Sequence, residues 1–159
     1  MESRVEKAQE LFCSGYNCAQ SVFAAYADLF GMDQETALKL SCPMGAGIGR
    51  MREVCGTVCA MAMLSGFGHG NTDPQDEEAK KAAYELVRRM AQEFKEENGT
   101  LLCRELLGIS GMEESAAPTV RTPEYYASRP CLGIIGCAAR IVEKYLFPEK
   151  ELYKPTEVD

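Results

Sequence analysis

The stretch MREVCGTVCAMAMLS, residues 51–65, is apolar on nearly every side from Val54 and Cys55 through Met61, Met63 and Leu64. A segment with no polar face has nothing to offer water, so it predicts a buried central helix rather than a surface one. The elements around such a helix must be amphipathic and turn their apolar stripes towards it. The segment between Asp73-Pro74 and Gly99 fits that demand. Ala79, Ala82, Ala83, Leu86, Val87, Met90, Ala91 and Phe94 form one stripe with charges between them, and Gly99 stands past the end.

Working outward, Val5, Ala8, Leu11 and Phe12 recur at helical spacing before Gly15, which predicts a short helix over residues 4–13. Asn17 is a suitable cap for a second helix carrying Cys18, Val22, Ala25, Tyr26 and Leu29, and Asp33 for a third. Asp73-Pro74 predicts the start of the long helix, after a turn at residues 66–71. One or two turns are expected around Cys103 and Leu106, then a looser stretch, then a last helix from Pro130 through Leu146. Two-residue alternation with β-branched residues is absent, so no strand is expected. The reading is all-α: a compact single-domain bundle of about five to seven helices over residues 1–147, with a polar tail over 148–159.

Charge and composition narrow the function. A net charge of −7 lacks the clustered basic surface that nucleic acid or an anionic membrane requires. The amino terminus is charged where a signal peptide would be apolar, and no apolar run approaches the roughly 18 residues of a membrane span. The expectation is a cytoplasmic protein without membrane insertion. In that compartment thiols stay reduced, so the eight cysteines read as ligands, redox thiols or buried small hydrophobes rather than a disulfide framework.

No two of the eight stand in Cys-x-x-Cys spacing. Cys55 and Cys59, four apart on the expected central helix, would share one face. Cys18 and Cys131 each fall in the first turn of an expected helix, where the positive end of the dipole favours thiolate. Cys13, Cys42 and Cys137 lie beside apolar residues and are expected to be buried. His69 is the single histidine and reads as a turn residue; Met61 and Met63 read as core filler. Gly45, Gly47 and Gly49 lack the strand and full fingerprint of a dinucleotide site. They are expected instead to let backbone pass close to a cysteine site, with N–H groups aimed at sulfur.

Tyr16-Asn17-Cys18-Ala19-Gln20-Ser21-Val22, Met44-Gly45-Ala46-Gly47-Ile48-Gly49-Arg50, Glu53-Val54-Cys55-Gly56, Cys103-Arg104-Glu105-Leu106-Leu107-Gly108 and Arg129-Pro130-Cys131 together resemble the C-GCAxxG-C-C family of redox-active proteins. The resemblance runs through nearly the whole chain and implies that the hallmark cysteines are Cys18, Cys55, Cys103 and Cys131. The family's alanine and second glycine on the central helix are replaced here by Thr57 and Ala60, and Cys59 is an additional sulfur.

Two functions follow as expectations. The first is redox: Cys18, Cys55, Cys103 and Cys131 act as redox thiols or as ligands of an iron–sulfur cluster, with Cys59 as accessory sulfur. Its partner would be a redox protein or a small-molecule oxidant or reductant. The second is a zinc-binding or purely structural interaction module without electron chemistry.

Overall fold

The structure is a computed structural model that describes residues 1–111 and 113–148; the expected tail over 148–159 lies, beyond Pro148, outside the described residues. The eight α-helices are α1 (Val5–Cys13), α2 (Cys18–Tyr26), α3 (Gln34–Ser41), α4 (Gly56–His69), α5 (Glu77–Asn98), α6 (Cys103–Leu107), α7 (Pro123–Ser128) and α8 (Cys131–Leu146). Two 3-10 turns, Ala27–Phe30 and Cys42–Met44, join them. Among the described residues there is no strand, only an isolated bridge between Val54 and Leu102. No described helix is long and apolar enough to cross a membrane.

The central helix is α4, which packs against α2, α5 and α8. It buries Val58, Ala60, Met61 and Leu64, while α5 turns in Leu86, Met90 and Phe94, and α8 turns in Ile134, Ile135, Ile141 and Val142. Each fully buried Leu, Ile or Phe contributes about 1.5–3 kcal/mol by leaving water. A polar tie closes one end: the hydroxyl of buried Tyr26 donates to Glu143 Oε1 at 2.8 Å, and the same carboxylate accepts from the Arg4 N–H at 2.7 Å, joining α2, α1 and α8.

Several boundaries differ from the sequence expectation. The central helix begins at Gly56 rather than near residue 51, because residues 46–50 turn with the opposite hand. It also runs past the turn expected at 66–71, so His69 is its last residue rather than a turn residue. Phe67 gives that extra length a packing reason, stacking on Phe30 with ring centroids 4.7 Å apart. The long helix starts at Glu77, three residues later than Pro74: Asp76 accepts from the Ala79 N–H at 3.0 Å, whereas Asp73 closes a turn onto the Gln75 N–H. Helix α7 lies in the stretch read as loose. Its start is a Thr122 cap followed by Pro123 and Glu124, a helix-start signal that the sequence carries. With α6 and α7 the helix count among the described residues rises to eight.

Candidate functional site

The site is built where helix beginnings meet. Cys18 is the first residue of α2, Cys55 caps α4, Cys103 opens α6 and Cys131 opens α8. All four line one cavity of about 380 Å³, together with Cys42 at its exposed rim.

Asn17 fixes the position of Cys18. Its side chain accepts from the Gln20 N–H at 3.0 Å, Gln20 reaches back to the Asn17 N–H at 3.1 Å, and Asn17 Nδ2 donates to Cys42 O at 3.0 Å. This capping box leaves the Cys18 sulfur facing donors from three segments. The Cys55 thiol donates to it, and so do the backbone N–H groups of Ala46, Ala19 and Gly56; together they outweigh burial and lower its pKa from the ordinary 9.0 to about 6. Cys55 moves the other way. The hydrogen bond to the Cys18 thiolate holds its proton, burial adds to the effect, and its pKa rises well above the ordinary value. The two sulfurs are thus pushed in opposite directions, Cys18 towards thiolate and Cys55 towards thiol. Thr57 Oγ1 lies 3.1 Å from Cys55 Sγ, so the residue that departs from the family pattern touches the partner sulfur.

Glycine makes the close approach feasible. A Cβ on Gly56 would lie 2.7 Å from Cys18 Sγ and 2.8 Å from Met44 O; one on Gly47 would lie 2.7 Å from Cys103 Cβ. A Cβ on Gly45 would collide with the Asn17 side chain. Gly49 meets nothing but has a φ of +56°. The loop is left-handed from end to end: Ala46, Gly47, Ile48, Gly49 and Arg50 all have positive φ, as does Arg52. For each non-glycine residue this conformation costs about 1–2 kcal/mol. Bonds across the loop offset part of that cost, among them Gly49 N–H to Pro43 O at 2.8 Å and Glu53 N–H to Gly47 O at 2.9 Å. The handedness brings the Ala46 N–H to the Cys18 sulfur, a case of backbone strain at a candidate site.

The remaining sulfurs divide by environment. Cys103 Sγ accepts from Arg52 Nη1 at 3.6 Å; burial pushes its pKa up, against the pull of that guanidinium. Its backbone is pinned to the Cys55 segment, with Cys103 N–H on Glu53 O at 2.7 Å and Cys55 N–H on Leu101 O at 2.8 Å. Cys131 does not follow the dipole expectation. Burial first, and then the negative charges of Cys18 and Cys103, raise it to about 11. Cys55 and Cys59 do not share a helix face, because Cys55 is the non-helical cap with φ −52° and ψ 132°. Cys59 lies outside the cavity and is pushed up by burial, then by the charge on Cys18. Of the three cysteines expected to be buried, Cys137 alone is. Cys13 ends α1 one residue after Phe12, which takes the core position, and Cys42 begins an exposed turn.

Arginines complete the wall. Arg50, Arg52, Arg121 and Arg129 line the cavity, and sequence reasoning gave none of them a role. A signal was present: Arg50 and Arg129 lie inside the motifs quoted above. Arg52 is only 5% exposed, has a φ of +59°, and pairs with Glu113 at 3.1 Å. As the side chains stand, no three His, Cys, Asp or Glu among the described residues are grouped closely enough to hold a metal ion. The sulfurs share a cavity but are not preorganised around one ion.

Comparison with known proteins returns one family model, described as "Putative redox-active protein (C_GCAxxG_C_C)", which matches residues 16–145. No curated protein and no solved structure matches the chain. With the match spanning most of the sequence and containing all four cavity-lining hallmark cysteines, the chain belongs to the C_GCAxxG_C_C family.

Proposed function

We propose that this protein performs thiol–disulfide oxidoreduction, with Cys18 as nucleophile and Cys55 as the resolving thiol. The observation that carries the reading is that Cys18 and Cys55 line one cavity, with the surroundings of Cys18 favouring its thiolate. Cys18 is held as thiolate near neutral pH, and the thiol that holds it so is Cys55. In the first step the Cys18 thiolate attacks one sulfur of a substrate disulfide, that S–S bond breaks, and one substrate thiolate leaves. In the second, Cys55 loses its proton to solvent or to the departing thiolate and attacks Cys18 Sγ. The mixed disulfide breaks, the second substrate thiolate leaves, and a Cys18–Cys55 disulfide remains. Two electrons pass from the cysteine pair to the substrate. Cys103 and Cys131, which line the same cavity, are a second thiol pair able to return electrons to that disulfide; Cys59 is an accessory sulfur behind it. The glycines at 45, 47 and 49 serve by backbone approach.

A competing reading makes Cys18, Cys55, Cys103 and Cys131 ligands of an iron–sulfur cluster or of zinc. Four sulfurs on one cavity favour it, and the lack of a close metal-holding group among the described residues counts against it. The test treats reduced protein, purified without oxygen, with one equivalent of a small neutral disulfide and maps the products by mass spectrometry. An intramolecular Cys18–Cys55 bridge that a dithiol reverses is the expected result. Stoichiometric iron with acid-labile sulfide, or stoichiometric zinc, in the isolated protein would overturn the assignment in favour of the ligand reading.

A further inference from the structure

The cavity wall holds more positive charge than its own carboxylates neutralise. Arg50 and Arg52 share a single acid, Glu113, at 2.7 and 3.1 Å. Arg121 and Arg129 have no carboxylate partner among the described residues, in a chain whose net charge is −7. Both are held in place without being neutralised. The Arg121 guanidinium lies 4.6 Å from the Phe12 ring centroid and 4.8 Å from that of Tyr125, and it donates to Tyr16 O at 3.1 Å. Arg129 stands 5.1 Å from the Tyr125 ring and makes no side-chain hydrogen bond within the described residues. Stacking on a ring leaves the edge of a guanidinium, with its fork of N–H donors, open to a planar anion. The charges also reach the sulfurs, since Arg129 and Arg121 both pull the Cys131 pKa down against its burial.

We propose that the cavity selects a small disulfide bearing a carboxylate, which Arg129 binds at its free edge while the substrate sulfur meets Cys18. This rests on the thiol–disulfide reading above. A volume of about 380 Å³ suits a compact organic molecule rather than a folded protein. Apolar positions such as Leu106, Leu107 and Ile134 face its uncharged part, and the arginines select its charge. Phe12 and Tyr125 position Arg121, which adds to the field without changing place.

The test compares two aromatic disulfides, dianionic dithiobis(nitrobenzoate) and neutral dithiodipyridine, on the full-length reduced protein. Modification is read at Cys18 by mass spectrometry, and each rate is divided by the rate with a small neutral thiol. A cleft lined with one sign of charge raises encounter with the opposite charge by about tenfold or more at low salt. The normalised preference for the dianion should be of that size, fall towards one in Arg129→Gln, return in part in Arg129→Lys, and stay unchanged in Arg140→Gln, which alters a surface arginine paired with Glu97. The rate with the neutral probe should be the same in the unmodified protein and in Arg140→Gln. A preference near one in the unmodified protein, or one that survives Arg129→Gln, would overturn the substrate class. Absence of Cys18 modification by either probe would instead overturn the thiol reading beneath it.

Discussion

The beginnings of α2 and α8 set the same residue type in the same place and give it opposite chemistry. Cys18 and Cys131 are both first residues of regular helices, and both face one cavity. Cys18 is lowered to about 6 and Cys131 raised to about 11. A helix dipole, worth about 0.3–1 kcal/mol for a charge at its end, is too small to account for such a gap. Discrete donors decide it. Asn17 is an extended cap whose capping box orients Cys18 towards a thiol and three N–H groups, whereas Pro130 caps α8 without a side-chain hydrogen bond. Cys131 is then left to burial and to the charge of its neighbour. The lesson is that a first-turn cysteine is activated only when donors from other segments converge on it.

The largest expected effect is the difference in reactivity between these two sulfurs. Near pH 7 the thiolate fractions differ by about four orders of magnitude, and the lower basicity of Cys18 returns about two of those orders through weaker intrinsic nucleophilicity. Iodoacetamide should therefore label Cys18 about a hundredfold faster than Cys131, measured peptide by peptide. Labelling at equal rates would break the comparison. The sign with pH follows from the lowered value: the Cys18 rate is flat above about pH 7 and falls as pH drops through about 6, while the Cys131 rate keeps rising towards about pH 11.

Next in size is removal of the principal donor. In Cys55→Ala the midpoint for Cys18 labelling should climb by at least about one unit, which corresponds to 1.36 kcal/mol. Cys55→Ser, which keeps an O–H donor, should move it less. A midpoint unmoved by Cys55→Ala would shift the cause to the backbone donors. Gly56→Ala then tests those. The new Cβ would meet Cys18 Sγ and Met44 O, so a stability loss of about 1–3 kcal/mol in urea unfolding should accompany slower labelling of Cys18. Gly47→Val adds a β-branched side chain at φ +73° against Cys103, and should disturb Cys18 and Cys103 reactivity while helix content by circular dichroism stays near that of the parent. The smallest change is Cys13→Ser, at an exposed sulfur that does not line the cavity, which should alter stability by less than about 0.5 kcal/mol and leave Cys18 labelling as it is.

The sequence was most informative where one residue's chemistry decides its own conformation. The Asn17 and Asp33 caps and the all-round apolarity of α4 are local patterns that stand as expected, and the stripe of α5 holds through Leu86, Met90 and Phe94 while Ala82 is exposed. It misled where a tertiary contact overrides a local preference. Phe67 on Phe30 carries α4 through Gly66 and Gly68, and the bonds from Glu53 and Arg52 to Gly47 and Ala46 hold a left-handed turn that Ile48 and Arg50 would not adopt alone. Spacing along the chain could not tell that Cys55 is a cap rather than a helical residue, since that depends on where the left-handed loop releases the chain. Nor could it rank the four cysteines. Their difference lies in donors contributed by Ala46, Gly56 and Arg52 from other segments, which meet the sulfurs only once the bundle has formed.

The central claim is that one sulfur, Cys18, is a thiolate near neutral pH because Cys55 and three N–H groups hold it so. Ultraviolet thiolate absorbance, titrated with pH on reduced protein and on Cys18→Ser, tests this directly. The account predicts a single ionisation with a midpoint of about 6 that is missing from Cys18→Ser, followed by the other thiols at higher pH. Absorbance that first rises near the ordinary cysteine value of 9.0, identically in both proteins, would contradict it.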